Sequence, residues 1–479
     1  MTRTPDTSVE NVTDIILKAK EEAYRETDFE PEPELTTHID WPVQCTVGPG
    51  LEGAIACETK IGYVNGTKGM LIYRGYDIFD LCAYCSFEEV SYLLLHGRLP
   101  KKKELDELKE KLARYRHLLE TKRLLMTFPI ENMNTMAALR LGTNLMRQKQ
   151  TFRDTEEAQK EIPKIATDED SIPMETRPMG HKDSIYGFDK KQYKQPKGVN
   201  KELLGGEEID SCYHLIAGLS SIAATVARIR YGRLPLEPLP ELGHAANFLY
   251  MMTGRVPTAL EEKVMDVALI LHADHGMNAS TFAALVVAST LSDIYFSVGS
   301  GIAALNGPLH GGANEQVMRT LAEIGSEKNV DGWFRRKMDG REKIPGFGHR
   351  VYKAYDPRAR VLAPLAELLV RDKPNMQERF RTAMKLEKKV VSTLGAEKKI
   401  FPNVDFYSGM VYGALGIPAE MFTPIFAVAR VSGWTARIME YLEKNRIFRP
   451  RAIYTGDFDK EFVPLRSEER RVGKECATG

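Results

Sequence analysis

Four of the ten histidines in this 479-residue chain lie between positions 272 and 349, and two of them fall in glycine-rich turns. His310 belongs to the segment GPLHGGAN, directly before a helical run, and His349 ends the segment KIPGFGH. Glycine and proline shape sharp turns and let a ligand approach the backbone closely. Each segment therefore predicts an imidazole held beside a ligand, and a loop histidine without a chemical role is the alternative.

A carboxylate follows in the segment PNVDFYSG, where Asp405 stands at the start of a predicted helix and an N-cap aspartate is the simpler alternative. One carboxylate and two imidazoles suit the removal of a proton from the carbon next to a thioester, followed by attack on a ketone. The positive end of a helix dipole disfavours an imidazolium, so a neutral His310 would donate to the enolate oxygen. His349 would donate to the ketone, and arginines would hold a dicarboxylate.

A further cluster, LHADHGMN, brings His272, Asp274 and His275 within four positions. Such a cluster is a candidate metal site, but no third and fourth ligands follow at a familiar spacing. We therefore expect a structural or substrate-binding role for this segment and no metal in the chemistry.

The three chemical segments resemble, in this order, the signature segments of the citrate synthase family: GPLHGGAN, then PGFGH with the following DPR, then PNVDFYSG. The surrounding strings KGMLIYRGYDI, SFEEVSYLLLHGRLP, ANFLYMMTG, LHADHGMNAST and RPRAIYTG agree. The resemblance covers about residues 45–150 and 209–456. It implies that His310 and His349 are the catalytic histidines and that Asp405 is the base.

The same resemblance implies which side chains bind the two substrates. The positions that match oxaloacetate-binding residues are His275, Arg358, Arg430 and Arg449, the last of which would reach the site from the partner subunit. The positions that match CoA-binding residues are Ile344, Gly346, Phe347 and Gly348, in a loop that meets the adenine, with Lys353 and Lys398 near the phosphates.

The reaction implied by the resemblance is the condensation of acetyl-CoA with oxaloacetate and water to give citrate and CoA. Acetyl-CoA is then a substrate, and no cofactor is expected. The resemblance also implies a homodimer with shared active sites, built on a two-domain helical fold.

Periodicity independently predicts a mainly α-helical chain with small β elements near the N-terminus. Residues 59–76 alternate and carry Asn65-Gly66, the signal of a hairpin turn. Helical spacing begins at Phe87 and recurs over about 130–147, 211–230, 259–273, 279–298, 313–325, 357–371, 376–394, 405–414 and 421–444. The 279–298 helix is expected to lie in the core and to be followed by a glycine-rich turn.

The predicted domain organisation follows the family pattern. An extension and linker (1–44) precede a large helical domain (45–311). A small mobile domain (312–422) carries the CoA and catalytic loops, and the large domain is completed by 423–465. Residues 151–208 are rich in charged and polar residues and are expected to be an exposed insertion.

The last residues, 466–479, are expected to be a non-native tail. The string RSEERRVGKEC over 466–476 is what a common sequencing-library adaptor encodes in one reading frame. The native continuation after Leu465 is then a different one.

Composition excludes several classes of protein. Lys plus Arg and Asp plus Glu both number 66, so the chain has no bulk attraction to nucleic acid or to an anionic membrane. No stretch offers about 20 predominantly apolar residues, so no membrane span is expected. Six cysteines form no disulfide framework in a chain of this length, and the Cys82–Cys85 pair stands alone, which favours reduced thiols and a cytoplasmic location.

Three other functions compete with citrate formation. A 2-methylcitrate synthase would use propionyl-CoA with the same residues, and one methylene in a pocket is worth only about 1–3 kcal/mol. A citrate-cleaving relative coupled to ATP would need a nucleotide-binding domain, and the chain has no GxxxxGK[ST] loop. A non-catalytic binding protein would not need the intact set of His310, His349 and Asp405.

Overall fold

The computed structural model describes residues 7–27, 36, 41–151 and 207–457. The insertion expected at 151–208 lies outside these residues except at its ends, and so do the expected non-native tail and most of the linker between 28 and 40. The chain divides into two compact units, and the boundary between them in the sequence lies between Arg446 and Ile447. The division into a large and a small mobile domain stays a prediction.

The described part of the chain is mainly helical, as predicted. Its helices are α1 Thr7–Glu26, α2 Ile78–Tyr84, α3 Phe87–His96, α4 Lys102–Tyr115, α5 Leu119–Leu125, α6 Thr135–Thr151, α7 Glu207–Arg230, α8 His244–Thr253, α9 Ala259–His272, α10 Ala279–Ser289, α11 Ile294–Leu305, α12 Ala313–Ile324, α13 Val330–Asp339, α14 Pro357–Val370, α15 Pro374–Val390, α16 Val404–Ala414 and α17 Phe422–Leu442. Helix α15 continues through a π-helical segment, Val391–Gly395, into Ala396–Lys398.

The hairpin predicted from Asn65-Gly66 is present. Strands β1 (Gly62–Asn65) and β2 (Met70–Tyr73) pair antiparallel, and the short β3 (Tyr76–Asp77) pairs with β2. The carbonyl of Gly66 accepts hydrogen bonds from the N–H groups of Lys353 and Ala354. A Cβ on Gly66 would lie 2.1 Å from the carbonyl oxygen of Val351, so only glycine fits this approach. The hairpin turn thus supports the segment that follows His349.

The core of the first unit is built around α17, which is buried along most of its length and packs against α7, α9, α10 and α11. A second group of contacts joins α16 to α14 and α12. The candidate site residues lie at or near the starts of α10, α14 and α16 and in the middle of α17. The two groups of helix contacts fix the positions of these helix segments.

One predicted helix is two helices in the structure. The segment expected to be continuous over 279–298 breaks after Ser289, and Asp293 caps α11 by accepting from the N–H groups of Tyr295 and Phe296. The expected glycine-rich turn comes only after α11, at residues 306–312, because Gly299 and Gly301 lie inside α11. A Cβ on Gly301 would lie 3.1 Å from the Trp434 ring, so these small residues permit close helix packing.

One described helix has the length and apolar character of a membrane span. The segment Ile209–Arg230 has a mean hydropathy of 1.3, which corrects the expectation that no such stretch exists. Its apolar stretch is 89% buried inside the protein, which assigns it to the core.

Candidate active site

Asp405 lies at the start of α16 but does not cap it. Asn403 is the N-cap, and its side chain accepts the backbone N–H of Asp405 at 3.0 Å. The Asp405 carboxylate therefore does not take part in capping the helix. Its Oδ1 is buried, and no described residue gives it a hydrogen bond. A buried acceptor left free in this way is available to a substrate.

The surroundings of Asp405 tune its carboxyl toward general base chemistry. Burial raises its pKa from 3.8 to about 7, and the charge of Asp356 adds to this effect. Arg358 and Arg430 act in the opposite direction. A base is most effective when its pKa lies near the working pH.

His310 lies in the turn before α12, and a neighbouring helix fixes its proton. The backbone N–H of Ser280, in the first turn of α10, donates to His310 Nε2 at 3.3 Å. A nitrogen that accepts this bond carries no proton, so the neutral ring has its N–H at Nδ1. Burial lowers the pKa of His310 to about 4, and the charge of Arg430 acts in the same direction.

His349 is fixed in the opposite tautomer by its own loop. Its Nδ1 accepts the backbone N–H groups of Val351, at 3.0 Å, and Tyr352, at 3.1 Å. The proton of the neutral ring therefore lies on Nε2. Burial lowers the pKa of His349 to about 4, and Arg358 contributes in the same direction. Each histidine thus offers one N–H donor and no positive charge.

His275 lies on a loop that a buried ion pair holds in place. Asp274 receives two hydrogen bonds from Arg437, at 2.6 Å and 2.7 Å, and both side chains are almost fully buried. The Tyr73 hydroxyl donates to the carbonyl of Asp274 at 2.7 Å. His275 lies beside His349, with the ring centroids 5.3 Å apart. The pairing of Asp274 explains why this segment is not arranged to bind a metal.

Two buried arginines supply positive charge to the site. Arg430 donates from Nε to the carbonyl of His272 at 2.6 Å, but its Nη2 is buried without a partner among the described residues. Burial lowers the pKa of Arg430 to about 10, which leaves it charged at neutral pH. Arg358 forms two hydrogen bonds to Asp356, at 3.0 Å and 2.8 Å. Burial alone would lower its pKa, but this carboxylate raises it overall.

The candidate CoA loop is tied to the segment before α16. Asn403 donates from its backbone to the carbonyl of Gly346 and from Nδ2 to that of Gly348, both at 2.9 Å, and the ring of Phe347 lies 4.5 Å from that of Phe406. Gly346 has a φ of 80°, and a Cβ there would lie 2.6 Å from Val317.

The other predicted CoA and oxaloacetate residues differ in burial. Ile344 is 8% exposed, whereas Lys353 and Lys398 are exposed. Arg449 belongs to the second unit and is exposed there.

The structure thus brings together most of the residues that the sequence singled out. The charge of Arg430 acts on His275, His310 and Asp405, so all four side chains share one site. The described residues contain no group of three or more His, Cys, Asp or Glu side chains arranged to hold a metal ion.

The sequence did not reveal four residues that set the proton positions, hydrogen bonds and ion pairs of the site. They are Ser280, which fixes the proton of His310; Asp356, which pairs with Arg358; Tyr352, which contacts His275; and Arg437, which pairs with Asp274. Asp356 had a local signal, because it precedes Pro357 where a helix begins. The other three contacts join residues at least 30 positions apart, so no local sequence pattern predicts them.

Comparisons with known proteins agree with this arrangement. The family model described as "Citrate synthase, C-terminal domain" matches residues 50–168 and 146–451. Citrate synthase 2 of Bacillus subtilis is 41% identical over 426 residues, which are 89% of this chain and 100% of that protein. The Citrate/2-methylcitrate synthase of the same organism is 35% identical over 410 residues, covering 85% of this chain and 96% of its own.

Solved structures match over a similar length. Citrate synthase from Pyrobaculum aerophilum has a TM-score of 0.73 and 38% identity, over 90% of this chain and 99% of that one. A ternary complex of Thermoplasma acidophilum citrate synthase with carboxymethyl coenzyme A and oxaloacetate has a TM-score of 0.73 and 32% identity, over 88% of this chain and 99% of that one. The chain belongs to the citrate synthase family, and it is an enzyme of the acyltransferase type.

The buried pair of Asp274 and Arg437 gives a stability prediction. Arg437→Met leaves a buried carboxylate without its partner, so the free energy of unfolding should fall by about 3–5 kcal/mol. Urea denaturation measures this change. The control Lys102→Met removes the exposed pair with Asp106 and should cost less than about 1 kcal/mol. Equal losses in the two variants would contradict the prediction.

The raised pKa of Asp405 gives a pH prediction. The base must be ionised to act, so kcat/KM should fall as the pH is lowered through about 7, by about tenfold per unit well below that value. A pH profile between 5 and 9 measures this. A profile that stays flat down to pH 5 would show that no group with the raised pKa of Asp405 controls the rate.

Proposed function

We propose that this chain condenses acetyl-CoA with oxaloacetate and water to give citrate and CoA. The observation that carries the proposal is the combination of a carboxylate, whose buried Oδ1 has no hydrogen-bond partner among the described residues, with two neutral imidazoles whose protons are fixed on different nitrogens. This set can remove a C–H proton and stabilise two developing oxyanions without a metal. The family relatives favour this reaction over the one with propionyl-CoA.

In the first step Asp405 takes a proton from the acetyl methyl group. The electron pair moves onto the thioester oxygen, and the Nδ1–H of His310 donates to that oxygen as it becomes an enolate. The low pKa of His310 suits this role, because a neutral donor does not give its proton away to the enolate prematurely. Proximity in a desolvated site supplies much of the rate.

In the second step the enolate carbon attacks the ketone of oxaloacetate. A C–C bond forms, the carbonyl electron pair moves to oxygen, and the Nε2–H of His349 donates to the new alkoxide. Water then cleaves the thioester of the resulting citryl-CoA, which releases CoA as a thiol and leaves the third carboxylate of citrate.

Oxaloacetate would be held by His275 and by the guanidinium groups of Arg358, Arg430 and Arg449. The buried Nη2 of Arg430 has no acceptor in the described part of the chain, which supports this assignment, because a buried donor without an acceptor is costly until a carboxylate binds there. Arg449 would come from the partner subunit, a role that rests on the resemblance of RPRAIYTG alone.

CoA would lie along the loop that contains Ile344, Gly346, Phe347 and Gly348. The positive φ angles of Gly346 and Gly348 turn this loop tightly against the segment before α16, which supports a role in bringing the thioester to Asp405. The exposed Lys353 and Lys398 would meet the phosphates as point charges.

We also propose a homodimer. Helices α10 and α11 contain no charged residue, and their outer side chains include half-buried Phe282, Val286 and Val287 and the 41% exposed Phe296. A charge-free helix pair of this kind suits the interface of an obligate dimer.

A cytoplasmic location is part of the proposal. Cys45, Cys57, Cys82 and Cys85 are free thiols, which suits a reducing compartment.

A thiol-release assay with acetyl-CoA or propionyl-CoA, each with and without oxaloacetate, tests the proposed function. Rapid release only with acetyl-CoA and oxaloacetate together is the expected result. Faster release with propionyl-CoA would favour 2-methylcitrate formation. Release that does not depend on oxaloacetate, or no release at all, would contradict the proposal.

A further inference from the structure

Tyr352 lies at the centre of the candidate oxaloacetate site, although no sequence motif marked it. Its side chain is 2% exposed. Its ring centroid lies 5.4 Å from that of His275 and 5.0 Å from that of His349, and the guanidinium of Arg358 lies 5.7 Å above the ring. One aromatic ring therefore touches three of the side chains that were assigned to substrate.

The hydroxyl of Tyr352 makes one directed contact. It lies 3.2 Å from Nε2 of His275, and this is the hydrogen bond that the described part of the chain gives it. Among the described residues this hydroxyl has no other acceptor, and a hydroxyl that only accepted from Nε2 would leave its own proton buried and unpaired, so the hydroxyl donates to Nε2. Burial raises the pKa of Tyr352 well above its ordinary value, which keeps the hydroxyl protonated.

The state of His275 follows from its neighbours. Burial lowers its pKa well below the ordinary value, and the charges of Arg358, Arg430 and Arg437 and the ring of His349 act in the same direction. The ring is therefore neutral and has one proton. Because Nε2 accepts from Tyr352, that proton lies on Nδ1.

We propose that Tyr352 is a positioning residue for oxaloacetate. Its hydroxyl fixes the proton of His275 on Nδ1, so that His275 always presents an N–H donor to the bound substrate. In all three histidines one ring nitrogen then accepts a hydrogen bond and the other remains a donor. The accepting nitrogen is bound by the Ser280 backbone N–H in His310, by the backbone N–H groups that follow it in His349, and by the Tyr352 hydroxyl in His275. This inference rests on the proposed function, since it assigns His275 to oxaloacetate.

The variant Tyr352→Phe removes the hydroxyl and keeps the ring. His275 then loses its fixed tautomer, and its Nε2 is left buried without a donor. We expect the Kd for oxaloacetate, measured by calorimetry without acyl-CoA, to rise about tenfold. The KM for acetyl-CoA should stay within about twofold, because Tyr352 contacts no residue of the candidate CoA loop in the described contacts.

A matched control lies three residues further along. Tyr355→Phe also removes a hydroxyl from this segment, but that hydroxyl binds Glu387 on α15. Oxaloacetate affinity should stay near wild type in this control. An equal loss of affinity in both variants would show that the segment responds to any lost hydroxyl and would overturn the proposal.

A double-mutant cycle separates positioning from a general structural effect. In a His275→Ala background, Tyr352→Phe should cause no further loss of oxaloacetate affinity, since Tyr352 acts through His275. Independent, multiplying losses would overturn the proposal, and so would an unchanged Kd in the single variant Tyr352→Phe.

The tautomer can also be read in the wild-type protein, so the result does not depend on whether Tyr352→Phe folds. Solid-state NMR of ¹⁵N-histidine-labelled protein, with the His275 signals identified by their loss in His275→Ala, should give a protonated Nδ1 and a bare Nε2. A protonated Nε2 would overturn the proposal. If wild-type protein formed no citrate, the proposed function would fail, whereas the tautomer result concerns Tyr352 alone.

Discussion

Asp405→Asn should lower kcat by about 10²-fold or more, the usual scale for loss of a general base. Asparagine keeps the shape of the side chain but cannot accept the methyl proton. Affinity for oxaloacetate should hardly change, because in the proposed site Arg358 and Arg430 would provide the charge that holds it. Steady-state kinetics and calorimetry measure the two effects separately.

The stability of this variant provides its internal control. A carboxyl whose pKa is raised by folding stabilises the protein only while protonated, and this contribution is lost as the pH rises through about 7. Asp405→Asn should therefore be at least as stable as wild type at pH 8. Asp106→Asn, on the exposed surface of α4, should leave kcat unchanged. Near-normal turnover by the Asp405→Asn protein would remove Asp405 from the mechanism.

Mixed dimers of two inactive variants should regain activity. If Arg449 serves the site whose Asp405 lies on the other subunit, Asp405→Asn and Arg449→Leu homodimers should each be nearly inactive. In a mixed dimer one site carries both changes and the other carries neither. Unfolding the two variants together and refolding them at random makes about half of the dimers mixed, so activity should return to about a quarter of wild type.

The control for this experiment is wild-type protein carried through the same refolding. If it recovers and the mixture does not, Arg449 acts within its own chain or has no part in the site, because every site would then keep one change.

Local patterns were sufficient to predict the helical class and the small sheet. The Asn65-Gly66 turn and the helix that begins at Phe87 appear where the sequence pattern placed them, and Val90, Leu93 and Leu94 form the buried face of that helix. The break between α10 and α11 was missed because both segments are apolar, and only the capping side chain of Asp293 reveals the boundary. Likewise, only backbone geometry shows that Asn403, and not Asp405, caps α16.

The residues of the candidate site were predictable from the sequence, but their protonation states were not. The resemblance named His310, His349 and Asp405; the structure places His310 and Asp405 near Arg430, and His349 beside His275 and near Arg358. The protonation of each depends on contacts with Ser280, the loop amides and Asp356, and on burial, which arise only when distant segments pack together. Burial and long-range pairing are properties of the fold, so no local spacing encodes them.

Following the acetyl carbon into product tests directly whether this protein forms citrate with Asp405 as the base. Wild-type protein, oxaloacetate and acetyl-CoA labelled with ¹³C at the methyl group should give citrate labelled in one methylene carbon, as detected by NMR, with one free thiol for each citrate. Asp405→Asn protein should give almost none over the same period. Labelled acetate instead of citrate, or citrate formed equally well by the Asp405→Asn protein, would contradict the account.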